Sequence, residues 1–332
     1  MNRICRSILA GSLAVALSAT SANAALRSIT IGTNPAGSTF FLLGGGFAKM
    51  FQEKLGIRAN AQPQVGSSVY LPMINSGEMT MGIASSMDTG FAYTGDGFPV
   101  ASKELRTLGR IWILPYAFIA SGASGITKMA DLKGKRVMGD MPTNVALTRL
   151  NTAMLKSAGL STADVDFARS GGLIDGINAV VDGRADAAPV AVTMPNLIEA
   201  NGAASGGIRV ISNGTEAVDG FYEKEVPGTR NGITKPTPRR PFVTEDTPIV
   251  NYDTLLVTSA ALSDDDAYKL TKALYENWQQ LQKDYPPLRG VASGDIAAVD
   301  TTVPYHPGAI RFFKEAGLWS AAHEAAQAKF TN

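Results

Sequence analysis

The chain has 332 residues, 30 Lys and Arg against 29 Asp and Glu, a formal charge of +1, two histidines and one cysteine. So even a balance leaves no basic footprint for nucleic acid or an anionic membrane surface. His306, His323 and Cys5 are too few to build a zinc site, and nothing in the sequence asks for a metal or another cofactor.

The opening "MNRICRSILAGSLAVALSATSANA" carries Arg3 and Arg6, then an apolar run from Ile8 to Leu17, then the small-residue exit Ala22-Asn23-Ala24. This is the three-part pattern of a secretory signal peptide, residues 1–24, with cleavage expected after Ala24. The leader takes Cys5, two arginines and no acid with it, leaving about 308 residues, a formal charge of −1 and no thiol for a disulfide or lipid anchor. No later stretch approaches the roughly 20 apolar residues of a membrane span. The expectation is an exported, periplasmic protein that is not embedded in the membrane.

After the leader, Ser28–Gly32 reads as a strand and Thr39–Leu55 as a helix with Phe40, Leu43, Phe47 and Phe51 on one face. Strands follow at Arg58–Gln64, Met81–Ala84, Leu105–Leu114 and Ala117–Ala120, with helical patterns between several of them. This alternation predicts an α/β architecture on a sheet with parallel strands. Gly44, Gly45 and Gly46 fall inside the first helix and lack the G-x-G-x-x-G spacing of a dinucleotide site, so they read as close-packing positions. The pattern then restarts, with a strand at Arg136–Gly139, helices at Asn144–Ala158 and Leu173–Val181, and a strand near Ala185–Val192. A restart of this kind predicts a second α/β lobe. Tyr222–Thr247, with four prolines, reads as a long surface loop. "IVNYDTLLVTSA" is again a strand. Ser263 caps the helix after it, which Asp264, Asp265 and Asp266 favour electrostatically, and Ala309–Ala316 is a further helix with His306 fixing the loop before it.

Small polar residues gather where predicted strands end and helices begin: Asn34 to Thr39 with Ser38 and Thr39, Gly66 with Ser67 and Ser68, Ser85 with Ser86, and Thr143 with Asn144. In open α/β sheets ligands sit beyond the carboxyl ends of strands. Helix N-termini converging there would hold a small anion through N–H groups and hydroxyls. With no Lys or Arg in the first turn, a carboxylate fits better than a phosphate. Arg110 and Arg149 are candidate partners for it, and Trp112 is a candidate for the hinge side of the cleft or for the core. Glu78, Asp88 and Asp96 read as turn carboxylates with no evident partner. Ser67, in "VGSSV", is not in a nucleophile elbow, and neither histidine is tied by spacing to a serine and an acid, so a catalytic role is not expected.

Taken together, "ITIGTNPAGSTFF", "VGSS" before "INSGEMTMGIASS", "DLKGKRV", "VDGRADAAPV" and "VPYHPGAIRFFKEAGL" resemble the TAXI solute receptors of tripartite ATP-independent periplasmic (TRAP) transporters, over essentially the whole mature chain. The resemblance implies a two-lobed periplasmic-binding-protein fold of type II kind, with the ligand in a cleft between lobes joined by a hinge. Lobe one would comprise residues 25–118 and 256–332, and lobe two 119–255. It also implies capture of a small organic acid, with glutamate or 2-oxoglutarate-like dicarboxylates leading, and delivery to a TRAP permease. Position by position, the small-polar turn of the family falls on Gly37, Ser38 and Thr39, its Gly-Ser turn on Gly66 and Ser67, and its second-lobe turn on Thr143 and Asn144. The sequence departs from the family at Val65, where glycine is usual, and at Tyr70, where asparagine is usual. Tyr70 points to an aromatic acid as the alternative ligand. Two other classes remain: a periplasmic sensor presenting its closed form to a signalling receptor, and an exported hydrolase using Ser67 or Ser86.

Overall fold

The computed structural model describes residues 26–330, so the leader read at 1–24 lies outside the described residues. The strands are β1 Ser28–Thr33, β2 Arg58–Pro63, β3 Met81–Ser85, β4 Leu105–Ser121, β5 Arg136–Asp140, β6 Asp166–Arg169, β7 Ala187–Ala191, β8 Ile208–Ile211, β9 Thr229–Thr234 and β10 Thr247–Ser259. The helices are α1 Thr39–Leu55, α2 Ser67–Asn75, α3 Ser86–Thr94, α4 Val145–Lys156, α5 Leu173–Val181, α6 Leu197–Ala203, α7 Phe221–Glu225, α8 Asp264–Glu276, α9 Trp278–Asp284, α10 Pro307–Glu315 and α11 Ala321–Ala328.

The strands form one sheet in the order β2-β1-β3-β10-β4-β7-β5-β6, with β8 added to β4 and β9 to β10. It is mixed rather than parallel throughout. The β1/β2, β1/β3, β5/β6 and β5/β7 pairs are parallel, while β4 and β10 run antiparallel to each other and to their other neighbours. Those two long strands join the halves of the molecule. The pairing of β4 with β7 begins at Tyr116, and β10 leaves β9 at Tyr252 and takes up β3 at Thr254.

Two expectations are corrected here. The strands read separately at Leu105–Leu114 and Ala117–Ala120 are one strand, since Pro115 loses a donor but its carbonyl still accepts from Val192 N–H. The loop read at Tyr222–Thr247 contains α7 and β9, and the latter pairs with β10 from Thr229 to Thr234.

Helix α1 shows why these elements form. The Ser38 hydroxyl accepts from Phe41 N–H at 3.2 Å, Gly56 closes the other end in the left-handed region, and Phe40, Leu43, Phe47 and Phe51 are buried on one face. A Cβ on Gly44 would lie 2.5 Å from Thr33 Cγ2, and one on Gly46 would run into the Tyr285 ring. Gly44 and Gly46 let α1 seat closely, as the sequence predicts, whereas Gly45, read with them as a close-packing position, faces open space. Among the described residues no helix is long and apolar enough to cross a membrane, and no group of three or more His, Cys, Asp or Glu could hold a metal ion.

Candidate functional site

Five helix N-termini, those of α1 to α5, border the space between the two halves. Helix α1 begins at Ser38, α4 at Asn144, whose side chain accepts from Leu147 N–H, and α5 at Gly172, which brings no capping side chain. The Leu173, Ile174 and Asp175 amides in the first turn of α5, and the Thr39 and Phe40 amides of α1, have no partner among the described residues. Uncapped amides at the positive end of a helix dipole are suited to an anion.

These turns border a cavity of about 320 Å³ lined by Asn34, Pro35, Ser38, Val65, Gly66, Met141, Thr143, Asn144, Leu147, Met194 and the segment from Gly171 to Asp175. Its wall is mainly apolar, with Asn34, Ser38, Thr143, Asn144 and Asp175 as the polar members. A recess of about 40 Å³ continues inward and shares Asn34, Ser38, Asn144, Leu147, Leu173 and Met194 with the larger space. Its inner end is closed by Thr39, Phe40, Ser85, Asp88, Trp112 and Tyr252. Trp112 stands edge-on to Phe40 with ring centroids 6.2 Å apart.

Asp88 is the least expected member of the recess. It is 2% exposed, its Oδ2 accepts from the Ser85 hydroxyl at 2.6 Å, and its Oδ1 has no partner. Burial pushes the carboxyl up to about 6, against the pull of the Ser85 and Ser67 hydroxyls. Although it faces that carboxyl, the Ser67 hydroxyl closes no hydrogen bond of regular geometry. Asn34 Oδ1 and Thr39 Oγ1 are likewise buried and unpartnered.

The sequence-predicted residues divide into those at the cavity and those elsewhere. Asn34, Ser38, Thr39, Gly66, Trp112, Thr143 and Asn144 line the cavity or its recess. Gly37 does not line it, and a Cβ there would meet Ile174 Cδ1 at 3.6 Å. Ser67 is wholly buried behind the recess. Tyr70 is also fully buried, in the core beside Leu71 and Ile74, where its hydroxyl donates to the Ile83 carbonyl and does not reach the cavity. Arg110 is held on the far side of the sheet by Asp253, at 3.5 Å, and by the Asp295 carbonyl.

The remaining predicted residues bridge the halves instead of lining the cavity. Ser68 Oγ accepts from Val145 N–H at 3.3 Å, and Ser86 Oγ donates to the Gly228 carbonyl at 2.8 Å. Arg149 makes a two-pronged ion pair with Asp96 and lies over the Phe91 ring, 4.4 Å from its centroid. That pairing raises the guanidinium above its ordinary range and holds the Asp96 carboxyl below its own. Both partners are solvent-accessible, and exposed pairs contribute at most about 1 kcal/mol. Arg149→Ala is therefore expected to weaken ligand binding less than about fivefold by calorimetry. A loss of 100-fold or more would return Arg149 to the ligand.

Two features of the site escaped the sequence reading. Asp88 sits in "GIASSMD", where its burial leaves no local trace. The N-terminus of α5 was visible as "SGG" before an apolar helix, but its cap position is Gly172, and it was not among the four clusters singled out.

A mixed sheet crossed by two strands, with a cleft ringed by helix N-termini, is the architecture of two-lobed periplasmic binding proteins. Solved structures of this fold are similar to the chain. The alkanesulfonate-binding protein SsuA from Xanthomonas axonopodis pv. citri, bound to MOPS, is 17% identical, with a TM-score of 0.51 over 91% of this chain and 83% of that one. PhnD1 from Prochlorococcus marinus (MIT 9301), in complex with methylphosphonate, is 12% identical, with a TM-score of 0.54 over 79% and 91%. At such identities the likeness concerns the fold alone. Residues 31–317 match the NMT1-like family, and the chain belongs to that family.

Proposed function

We propose that this protein is an exported solute receptor that captures a small organic carboxylate with an apolar body and hands it to a TRAP-type permease. The observation that carries the reading is the cavity itself: unpartnered amides at the α5 and α1 N-termini beside a wall of Met141, Leu147, Leu173, Ile174 and Met194. The amides receive the carboxylate and the apolar wall receives the rest of the molecule. Tyr70 lies in the core, which removes the ground for an aromatic acid. A second carboxylate would find no cation in the lining, which disfavours the dicarboxylates.

Lobe one is taken as residues 25–118 and 256–332 and lobe two as 119–255, so the ligand touches both and its binding favours the closed arrangement. Residues 1–24 would direct export to the periplasm. The assignment of an ion-driven permease rests on the sequence resemblance. A binding rather than catalytic role is supported by the histidines, since His306 caps α10 and His323 bonds the Ala297 carbonyl, both away from the cavity.

The reading is tested with the chain from Ala25 to Asn332 in a thermal-shift screen of mono- and dicarboxylic acids, amino acids and phosphorylated compounds. Ligand that binds only the folded state raises the midpoint. A rise with apolar monocarboxylates or amino acids, followed by uptake into vesicles holding the permease under an ion gradient without ATP, is the expected result. Uptake only with ATP would replace the partner, and no midpoint shift with any compound would remove the receptor role.

A further inference from the structure

The inner recess and its unpartnered acceptors extend the reading above. The residues that line the cavity and the recess include two carboxylates, Asp88 and Asp175, and no Lys, Arg or His. Asp175 is engaged within its own turn, where it accepts from Gly171 N–H at 2.9 Å and from the Ser170 hydroxyl at 3.3 Å. Asp88 Oδ1 is free, and Asn34 Oδ1 and Thr39 Oγ1 lie unpartnered along the same recess. Tyr252 closes its end. The groups that face Asp88 are the Ser85 and Ser67 hydroxyls and, farther off, the phenols of Tyr70, Tyr116 and Tyr252, with no cation among them.

Asp88 Oδ1 and Asn34 Oδ1, acceptors without a donor of regular geometry, with the Thr39 hydroxyl able to accept beside them, define the missing partner. An ammonium group carries three N–H donors and no acceptor, and a charge-assisted contact with a carboxylate is the strongest such a group makes. A carboxylate placed there would instead oppose Asp88 with nothing to neutralise either charge.

We infer that the solute is a zwitterionic amino acid with an apolar side chain, whose ammonium seats in the recess against Asp88 Oδ1. The α-carboxylate then lies toward the free amides of α5 and α1, and the side chain fills the apolar cavity. Asn34, Ser38 and Leu173 border both spaces, so the two charged groups of one small molecule reach their partners together. Asp88 is on this account the residue that separates amino acids from their deaminated analogues. The inference depends on the receptor role, and the test separates failure of one from failure of the other.

Calorimetry at pH 7.5 would compare leucine, isoleucine, valine, methionine and phenylalanine with the matching carboxylic acids that lack the amine. At least one amino acid is expected to bind about 100-fold tighter than its deaminated analogue, since desolvated charge pairs of this kind are worth several kcal/mol. In Asp88→Asn, its folding checked by melting, that ratio is expected to fall below about tenfold while binding of the analogue is kept. Deaminated acids that bind as tightly as amino acids, or a ratio unchanged in Asp88→Asn, would overturn the ammonium assignment and leave the receptor role standing. If neither series binds, the ammonium assignment falls, and the receptor role is decided by the broader thermal-shift screen.

Discussion

Asp88→Asn is expected to make the ligand-free protein more stable at neutral pH. The folded-state value of about 6 lies above the ordinary 3.8, so the folded protein holds this proton more firmly than the unfolded chain does. Stability from such a group is fully present below the unfolded value and is lost as pH rises through the folded one. Two units correspond to about 3 kcal/mol lost between about pH 4 and pH 7. Asparagine keeps an acceptor for the Ser85 hydroxyl without the buried charge. At pH 7.5 its midpoint is expected about 4 °C above that of the parent, with the two curves converging near pH 4. A lower midpoint for the variant at pH 7.5 would mean that the charge is not a burden on the fold. The expected pairing of gained stability with lost amine recognition is that of a site kept strained for binding.

Gly66→Ala is expected to weaken binding by about 10- to 100-fold by holding the two halves apart, as overpacking by one methyl costs about 1–3 kcal/mol. The φ of Gly66 is 174°, extended backbone that alanine adopts freely, so nothing in its own half resists the change. The obstacle comes from the other half, where the new Cβ would press on the Thr143 carbonyl. A backbone atom cannot move aside as a side chain can, so the methyl acts as a wedge in the closing cleft. The measurement is calorimetry with small-angle scattering: the variant should bind weakly and stay wider than the parent at saturating ligand. Unchanged affinity would show that the approach of Gly66 to Thr143 is not part of the bound form.

The elements of the fold were largely legible, because α1, α4 and α5 announce themselves through caps and apolar periodicity. Partners were not. Arg149 reads as a ligand residue until α3 is packed against α4 and presents Asp96 and Phe91. Tyr70 looks like a specificity residue until its hydroxyl is seen to donate to the Ile83 carbonyl inside the core. Strand β9, "TRNGIT", was hidden because its burial does not alternate, so no period of two is written in its residues. Even the most specific motif, "VPYHPGAIRFFKEAGL", turns out to be architectural. His306 caps α10, and Gly308 allows that helix to seat on α8, where a Cβ would strike the Asp264 carbonyl. The motif that best marks the resemblance therefore carries nothing about the ligand.

Strands β4 and β10 cross between the halves side by side, paired from Leu105–Ser259 to Tyr116–Val250. Two hydrogen-bonded neighbours form a spine, and pages bound to a spine turn about it but do not slide past one another. Pro115, with no N–H to give to the ladder, lies where the spine passes from one page to the next. On the proposed receptor role, the motion such a spine leaves is close to a single angle, and a membrane partner that tests this angle would learn whether the cleft is full without touching what fills it.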